Sequence, residues 1–142
     1  MSLISKASHF FQRLEFYGWP LLLLATRLWM AYIFWRSGTV KIKHWDSTLS
    51  LFRFEYHVPC IPPDCAAYAT MAFEVLCSVL LALGLMTRIA TIPLLIITAV
   101  IHFTYLSHHD HVYWSLLLCT LLLKGAGPIS LDALWCRRYF TR

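Results

Sequence analysis

The stretch Leu-Ser-His-His-Asp-His, residues 106–111, sets three imidazoles and a carboxylate between two apolar runs. Imidazole and thiolate together suit copper or zinc. Thiolates are near at hand in a second cluster, where Cys60 and Cys65 flank Ile-Pro-Pro-Asp and His57 stands three residues before the first of them. Adjacent side chains diverge, so His108, His109 and His111 cannot all reach one ion. Two of them, completed by His57, His44 or the cysteines, would make a mixed-donor metal site. The plainer reading is a solvated turn between two buried helices, because a His-rich tract alone is compositional evidence. The C-x4-C spacing is neither the C-x-x-C of dithiol redox centres nor the usual zinc pair. In an oxidising compartment it closes a disulfide, and reduced it offers soft ligands for Cu(I).

A different chemistry is carried by Arg27, Glu74 and His102, which lie inside apolar runs. Ionisable groups are costly there and are functional or paired by default. Glu74 and His102 are both expected near mid-membrane on antiparallel spans, where they can meet as a proton relay, with Arg27 orienting the carboxylate or countering its charge. The structural alternative pairs Glu74 with Arg27 or Arg36 to pin the helices and leaves His102 as a hydrogen-bonding core residue. Cys77 and Cys119 also fall within spans and read as packing residues.

The elements that must position these groups follow from composition. Of 142 residues, 59% are hydrophobic and 13% charged, which marks an integral membrane protein rather than a soluble domain. Many of the six Trp and seven Tyr flank the apolar runs, as expected of interfacial anchors. Four apolar segments stand out, at about 20–38, 66–86, 89–106 and 112–127, and one domain spanning 1–142 accommodates them. The long connection 39–65 has the amphipathic character of an interfacial helix around Trp45 to Phe54, ahead of a Pro-rich turn. The expected fold is therefore an all-α, four-helix transmembrane bundle with a partly helical first outer loop.

Net charge is +5, but the basic residues sit mainly at segment ends, so they read as topology signals and not as a nucleic-acid surface. Lys6 and Arg13 precede an apolar run that continues through bulky residues without a small-residue cleavage site, so the first segment reads as a retained span. Lys6, Arg13, Arg88, Lys124, Arg137, Arg138 and Arg142 on one side outweigh Arg36, Lys41, Lys43 and Arg53 on the other, favouring cytoplasmic termini. Both the 39–65 loop and the histidine turn then face outward.

Several motifs occur in order: RLWMAYIFWRSGTVK, with Arg27, Gly38 and Lys41; the second-span Glu74; GLMTR, with Gly84, Thr87 and Arg88; and GAGPISLD, which closes on Asp132. Together they resemble the DoxX family of small four-helix membrane proteins, over about Arg27 to Leu134. Ala126-Gly127-Pro128 departs from the family's usual Gly-Pro-Gly order, and the His and Cys clusters are not family-wide. The segments WDSTLSLF and FEYHVP resemble the subgroup found beside copper-associated ribosomal peptide systems. Other members resemble membrane subunits of thiosulfate or quinone oxidoreductases and of oxidative-stress complexes.

The resemblance implies a bacterial inner-membrane subunit of a redox or stress-response system, with quinone or copper as its ligand and other membrane or periplasmic proteins as partners beside the lipid bilayer. A quinone-linked oxidoreductase subunit would use Glu74 and His102 for protons. A copper-stress accessory would use Cys60, Cys65, His57, His108, His109 and His111. A third reading is a structural membrane partner without a cofactor. No Rossmann glycine pattern, Walker motif or haem-attachment C-x-x-C-H occurs.

Overall fold

The computed structural model describes residues 3–56, 58, 61–104 and 109–140, with 3–11, 13–15, 109 and 136–140 described in backbone only. Six helices make up the described chain: α1 (Leu3–Lys43), α2 (Trp45–Phe54), α3 (Pro63–Leu83), α4 (Thr87–Thr104), α5 (His109–Lys124) and α6 (Leu131–Phe140). No strand occurs among the described residues. α1 packs mainly on α3, α3 on α4, α4 on α5 and α5 back on α1, which closes a four-helix bundle. The short α2 lies across α3.

Local chemistry sets the boundaries. α3 begins with Pro63 after Pro62, where a missing backbone N–H costs nothing. It ends at Gly84, whose φ of 66° is the left-handed conformation. The Leu85 amide donates to the Leu80 carbonyl at 2.9 Å and the Gly84 amide to Leu81 at 3.1 Å, which completes a Schellman cap. α4 is capped from a distance: the Met86 and Thr87 amides donate to the two carboxylate oxygens of Asp132, at 2.7 and 3.1 Å. α5 stops at Gly125, with φ 81°.

The core contains Met30 and Phe34 of α1, Leu81 of α3, Leu94 of α4 and Leu118 and Leu121 of α5. A separate small core beneath α2 gathers Phe52 with Ala66 and Ala67. Around these the surface is strongly apolar, with Trp29 57%, Ile96 58% and Leu123 75% exposed. A continuous apolar exterior of this kind suits a lipid surround and not water. Since lipid tails are as apolar as leucine, it is close packing and internal polar bonds that hold the bundle together.

α3 and α4 satisfy both length and apolarity for membrane spans, and only 33% and 28% of their apolar windows are buried within the protein. The 16 described residues of α5 make about 24 Å of helix. α1 has ample length, but Arg27 and interleaved Trp and Tyr residues break its apolar stretch. α2 coincides with the interfacial helix expected in the first loop. α1 extends well beyond the expected apolar segment at both ends, and α6 follows the last one. Polar residues that end a hydrophobic segment need not end a helix.

Candidate functional site

Two clusters of polar side chains lie at opposite ends of the bundle, and α1 contributes a cation to each. At the end carrying α2, the loop end, Gly38 brings α1 hard against α3. A Cβ at this position would lie 2.7 Å from Val75 Cγ2 and 3.3 Å from Glu74 Cβ. That close approach puts Lys41, one turn further along α1, beside Glu74. The Lys41 ammonium donates to Glu74 Oε1 at 2.8 Å, to Oε2 at 2.7 Å and to Ser37 Oγ at 2.8 Å. Three donors thus meet three acceptors, and nothing on the ammonium is left unsatisfied. The Glu74 side chain is 1% exposed and that of Lys41 14%.

The pair opens on a cavity of about 720 Å³. Trp29, Phe34 and Trp114 give it aromatic walls, while Arg36, Asp110 and His111 add polar groups. Its size and its mixture of apolar wall with few polar groups are those of a small-molecule site. An ammonium–carboxylate pair at such a wall can hand a proton to a ligand oxygen once one ammonium N–H turns from Ser37 to the ligand, the carboxylate holding the ammonium in place. The His111 ring stands edge-on to the His102 ring at 5.9 Å and to Trp114 at 5.2 Å. His102 sits in the last turn of α4, and its Nδ1 finds no hydrogen-bond partner among the described residues. The α4 residues that share the cavity wall with Glu74 are Ile97, Thr98 and Ile101. Glu74 therefore meets Lys41 directly, and His102 stands behind His111.

α2 roofs this end. The Arg53 guanidinium donates to the two carboxylate oxygens of Asp64 at 2.8 and 2.9 Å, tying α2 to the start of α3. Hydrogen bonding to Asp64, followed by its negative charge, raises Arg53 above its ordinary pKa.

At the other end, the turn end, Arg27 reaches neither Glu74 nor the cavity. Its guanidinium donates to the Ala126 and Ile129 carbonyls, each at 3.0 Å, bridging α1 to the turn before α6. Gly84 makes room for it, since a Cβ there would lie 2.8 Å from Arg27 Cζ and 2.7 Å from Ser130 Cβ. The Asp132 amide donates to the Gly84 carbonyl at 2.9 Å, so the GLMTR and GAGPISLD turns are locked together.

Of the six candidate metal ligands, His57, Cys60 and His108 lie outside the described residues, as does the side chain of His109. Cys65 is exposed in the first turn of α3. Among the described residues no three His, Cys, Asp or Glu side chains converge to hold a metal. The residue that sequence reasoning did not place in the site is Lys41. Its signal was the Gly38-x-x-Lys41 spacing, a close-approach glycine one turn before a cation.

An all-α membrane bundle with a buried ion pair at one end and a glycine-rich lock at the other defines the class of protein. The DoxX family model matches residues 22–107, more than half of the chain, and the chain belongs to the DoxX family. The match takes in Arg27, Gly38, Lys41, Glu74 and Gly84. An uncharacterized protein of Haemophilus influenzae (strain ATCC 51907 / DSM 11121 / KW20 / Rd) is 28% identical over 134 residues, covering 84% of this chain and 87% of its own. No solved structure matches.

Proposed function

We propose that this chain is the quinone-binding membrane subunit of a small bacterial redox system, with the quinone ring in the Lys41–Glu74 cavity. The observation that carries the reading is the buried, fully hydrogen-bonded Lys41–Glu74 pair at the wall of an aromatic-lined cavity inside a lipid-facing bundle. Reducing a quinone consumes two protons with two electrons, so a site serving it needs a proton donor beside the ring oxygen. Glu74 and Lys41 fill that role, and His111, with His102 behind it, stands next in line toward the loop end. Arg27 acts as a positioning residue that holds α1 in register, and the electrons come from a partner protein of the same system. The chain sits in the bacterial inner membrane as a multi-pass protein. Both termini are cytoplasmic, and the loop end with the 39–65 segment faces outward.

Quinone quenching of tryptophan fluorescence in lipid nanodiscs tests the reading, since Trp29 and Trp114 line the cavity. Saturable quenching is expected for the wild type. Glu74→Gln, which removes the carboxylate whose charge-assisted hydrogen bonds fix the Lys41 ammonium at the cavity wall, should bind about tenfold more weakly. Absence of saturable quenching in the wild type would sink the proposal. The copper-accessory alternative predicts instead stoichiometric Cu(I) binding that Cys60→Ser/Cys65→Ser abolishes and Glu74→Gln leaves intact.

A further inference from the structure

The cavity shares part of its wall with a second, apolar space. Phe52, Tyr56, Ile97 and Ile101 line both, and the second has a volume of about 550 Å³. This second space is a furrow between α3 and α4. It runs from Val58 and Thr104 at the loop end to Met86 and Ile89 at the turn end. From Ile89 to Thr104 the α4 wall measures about 22 Å at 1.5 Å per residue. The walls are almost wholly aliphatic or aromatic, and Phe73, Leu76, Ile92 and Ile96 are exposed along its lips. The furrow therefore opens sideways to the lipid. At its junction with the polar cavity stand Phe52 and Tyr56, packed edge-on with ring centres 4.8 Å apart. Phe52, on the inner face of α2, is itself buried.

We propose that the furrow holds the hydrocarbon tail of the same molecule whose ring occupies the Lys41–Glu74 cavity, so that the ligand is a long-chain isoprenoid quinone entering from the bilayer. This inference rests on the quinone reading above. Because the two spaces abut across one shared wall, a single amphiphile is favoured over a free acyl chain. A phospholipid in the furrow would keep its headgroup at the membrane interface, outside the cavity, whereas a quinone ring reaches the cavity when the Phe52 and Tyr56 side chains swing aside, and leaves its tail behind. In a bilayer the tail gains nothing from leaving water, so its selectivity comes from close contact with the furrow walls.

The test uses the full chain in phosphatidylcholine nanodiscs with two quinones of the same ring, one short-chained and one a long isoprenoid quinone with a photoreactive group at its tail end. The tail should label α3 and α4 within the furrow, and an excess of the short-chain quinone should abolish the labelling. Ala69→Trp and, separately, Ile92→Trp place bulk in the furrow at exposed positions, so the bundle core is untouched. Each should weaken long-chain binding by about tenfold or more and leave short-chain binding unchanged. Equal binding of both quinones with no effect of either tryptophan overturns the tail site and leaves the cavity reading standing. Labelling that persists under competition identifies ordinary boundary lipid and overturns it as well. If neither quinone binds, both readings fall together.

Discussion

Arg27 and Lys41 are both buried or nearly buried cations of α1, about 21 Å apart along its axis, yet they serve different ends. Arg27 spends its planar fork on the backbone carbonyls of Ala126 and Ile129, and Gly84 packs against it with no room for a methyl group. Lys41 meets a carboxylate instead, and that pair looks into a cavity. A guanidinium suits the first task because its geometry matches two fixed acceptors and its charge does not titrate. An ammonium suits the second because it is compact and exchanges protons more readily. Burial of charge is common to both ends, so burial by itself does not mark a functional site. What separates them is whether the partner can accept a proton and whether a ligand can reach it.

The largest effects are expected at the turn end. Gly84→Val would force a β-branched residue into φ 66° and drive its side chain into Arg27 and Ser130. Strain of this kind joined to overpacking should leave no folded protein, read as loss of the monodisperse peak in detergent. Arg27→Ala would strand two carbonyls and is expected to cost about 2–6 kcal/mol, at roughly 1–3 kcal/mol for each unsatisfied acceptor. An Arg27→Lys chain should not rescue it, because a point charge cannot span both acceptors. Full rescue by Lys would show that charge alone matters there and would erase the contrast with Lys41.

The Lys41–Glu74 pair should behave otherwise. Lys41→Met alone leaves a buried carboxylate uncompensated and is expected to destabilise by about 3–5 kcal/mol. The double variant Lys41→Met/Glu74→Leu should recover most of that loss in thermal melts, since a buried ion pair is often replaceable by apolar residues of similar volume. Quinone binding should not return with it. Stability without binding would show that the pair is retained for function. A double variant that stays as unstable as the single one would place this pair in the same architectural class as Arg27.

These contrasts were unequally legible in the sequence. Ionisable residues in apolar runs pointed to Arg27 and Glu74, and amphipathicity located α2. Pairing was not legible, because Arg27 finds its acceptors 99 and 102 residues away and Glu74 its ammonium 33 residues away. Only the helix–helix register brings such residues together. Glu74 and His102 were expected to meet, whereas the direct partner of Glu74 is Lys41 and the His102 ring stands edge-on to His111. Apolarity also marks where a chain meets lipid more faithfully than where a helix stops, which is why the full reach of α1 and the presence of α6 were not anticipated.

A smaller effect should follow at Gly38, which sets the distance between α1 and α3. A methyl there meets a branched side-chain methyl of Val75 at 2.7 Å and Glu74 Cβ at 3.3 Å. Gly38→Ala is expected to cost about 1–3 kcal/mol as the helices shift apart. Quinone affinity should fall with it, because Lys41 is carried away from Glu74. Adding Val75→Ala removes the nearest obstacle and should restore both stability and binding. If stability returns and binding does not, the spacing at Glu74 Cβ itself sets the geometry of the pair.

The smallest stability effect belongs to the Arg53–Asp64 pair that ties α2 to α3. Both side chains are 51% exposed, and exposed pairs typically contribute little. Arg53→Ala should therefore leave the melting temperature unchanged within error. Its consequence should instead appear in exchange: α2 rests on the Phe52 core and one surface tie, so its amides should exchange faster in the variant while those of α3 stay protected. Because Phe52 and Tyr56 stand where the two cavities abut, a looser α2 should speed both entry and release of a long-chain quinone and leave its equilibrium affinity nearly unchanged. A large loss of stability on removing Arg53 would mean that the roof is part of the bundle's framework, and the division between a rigid turn end and an accessible loop end would have to be redrawn.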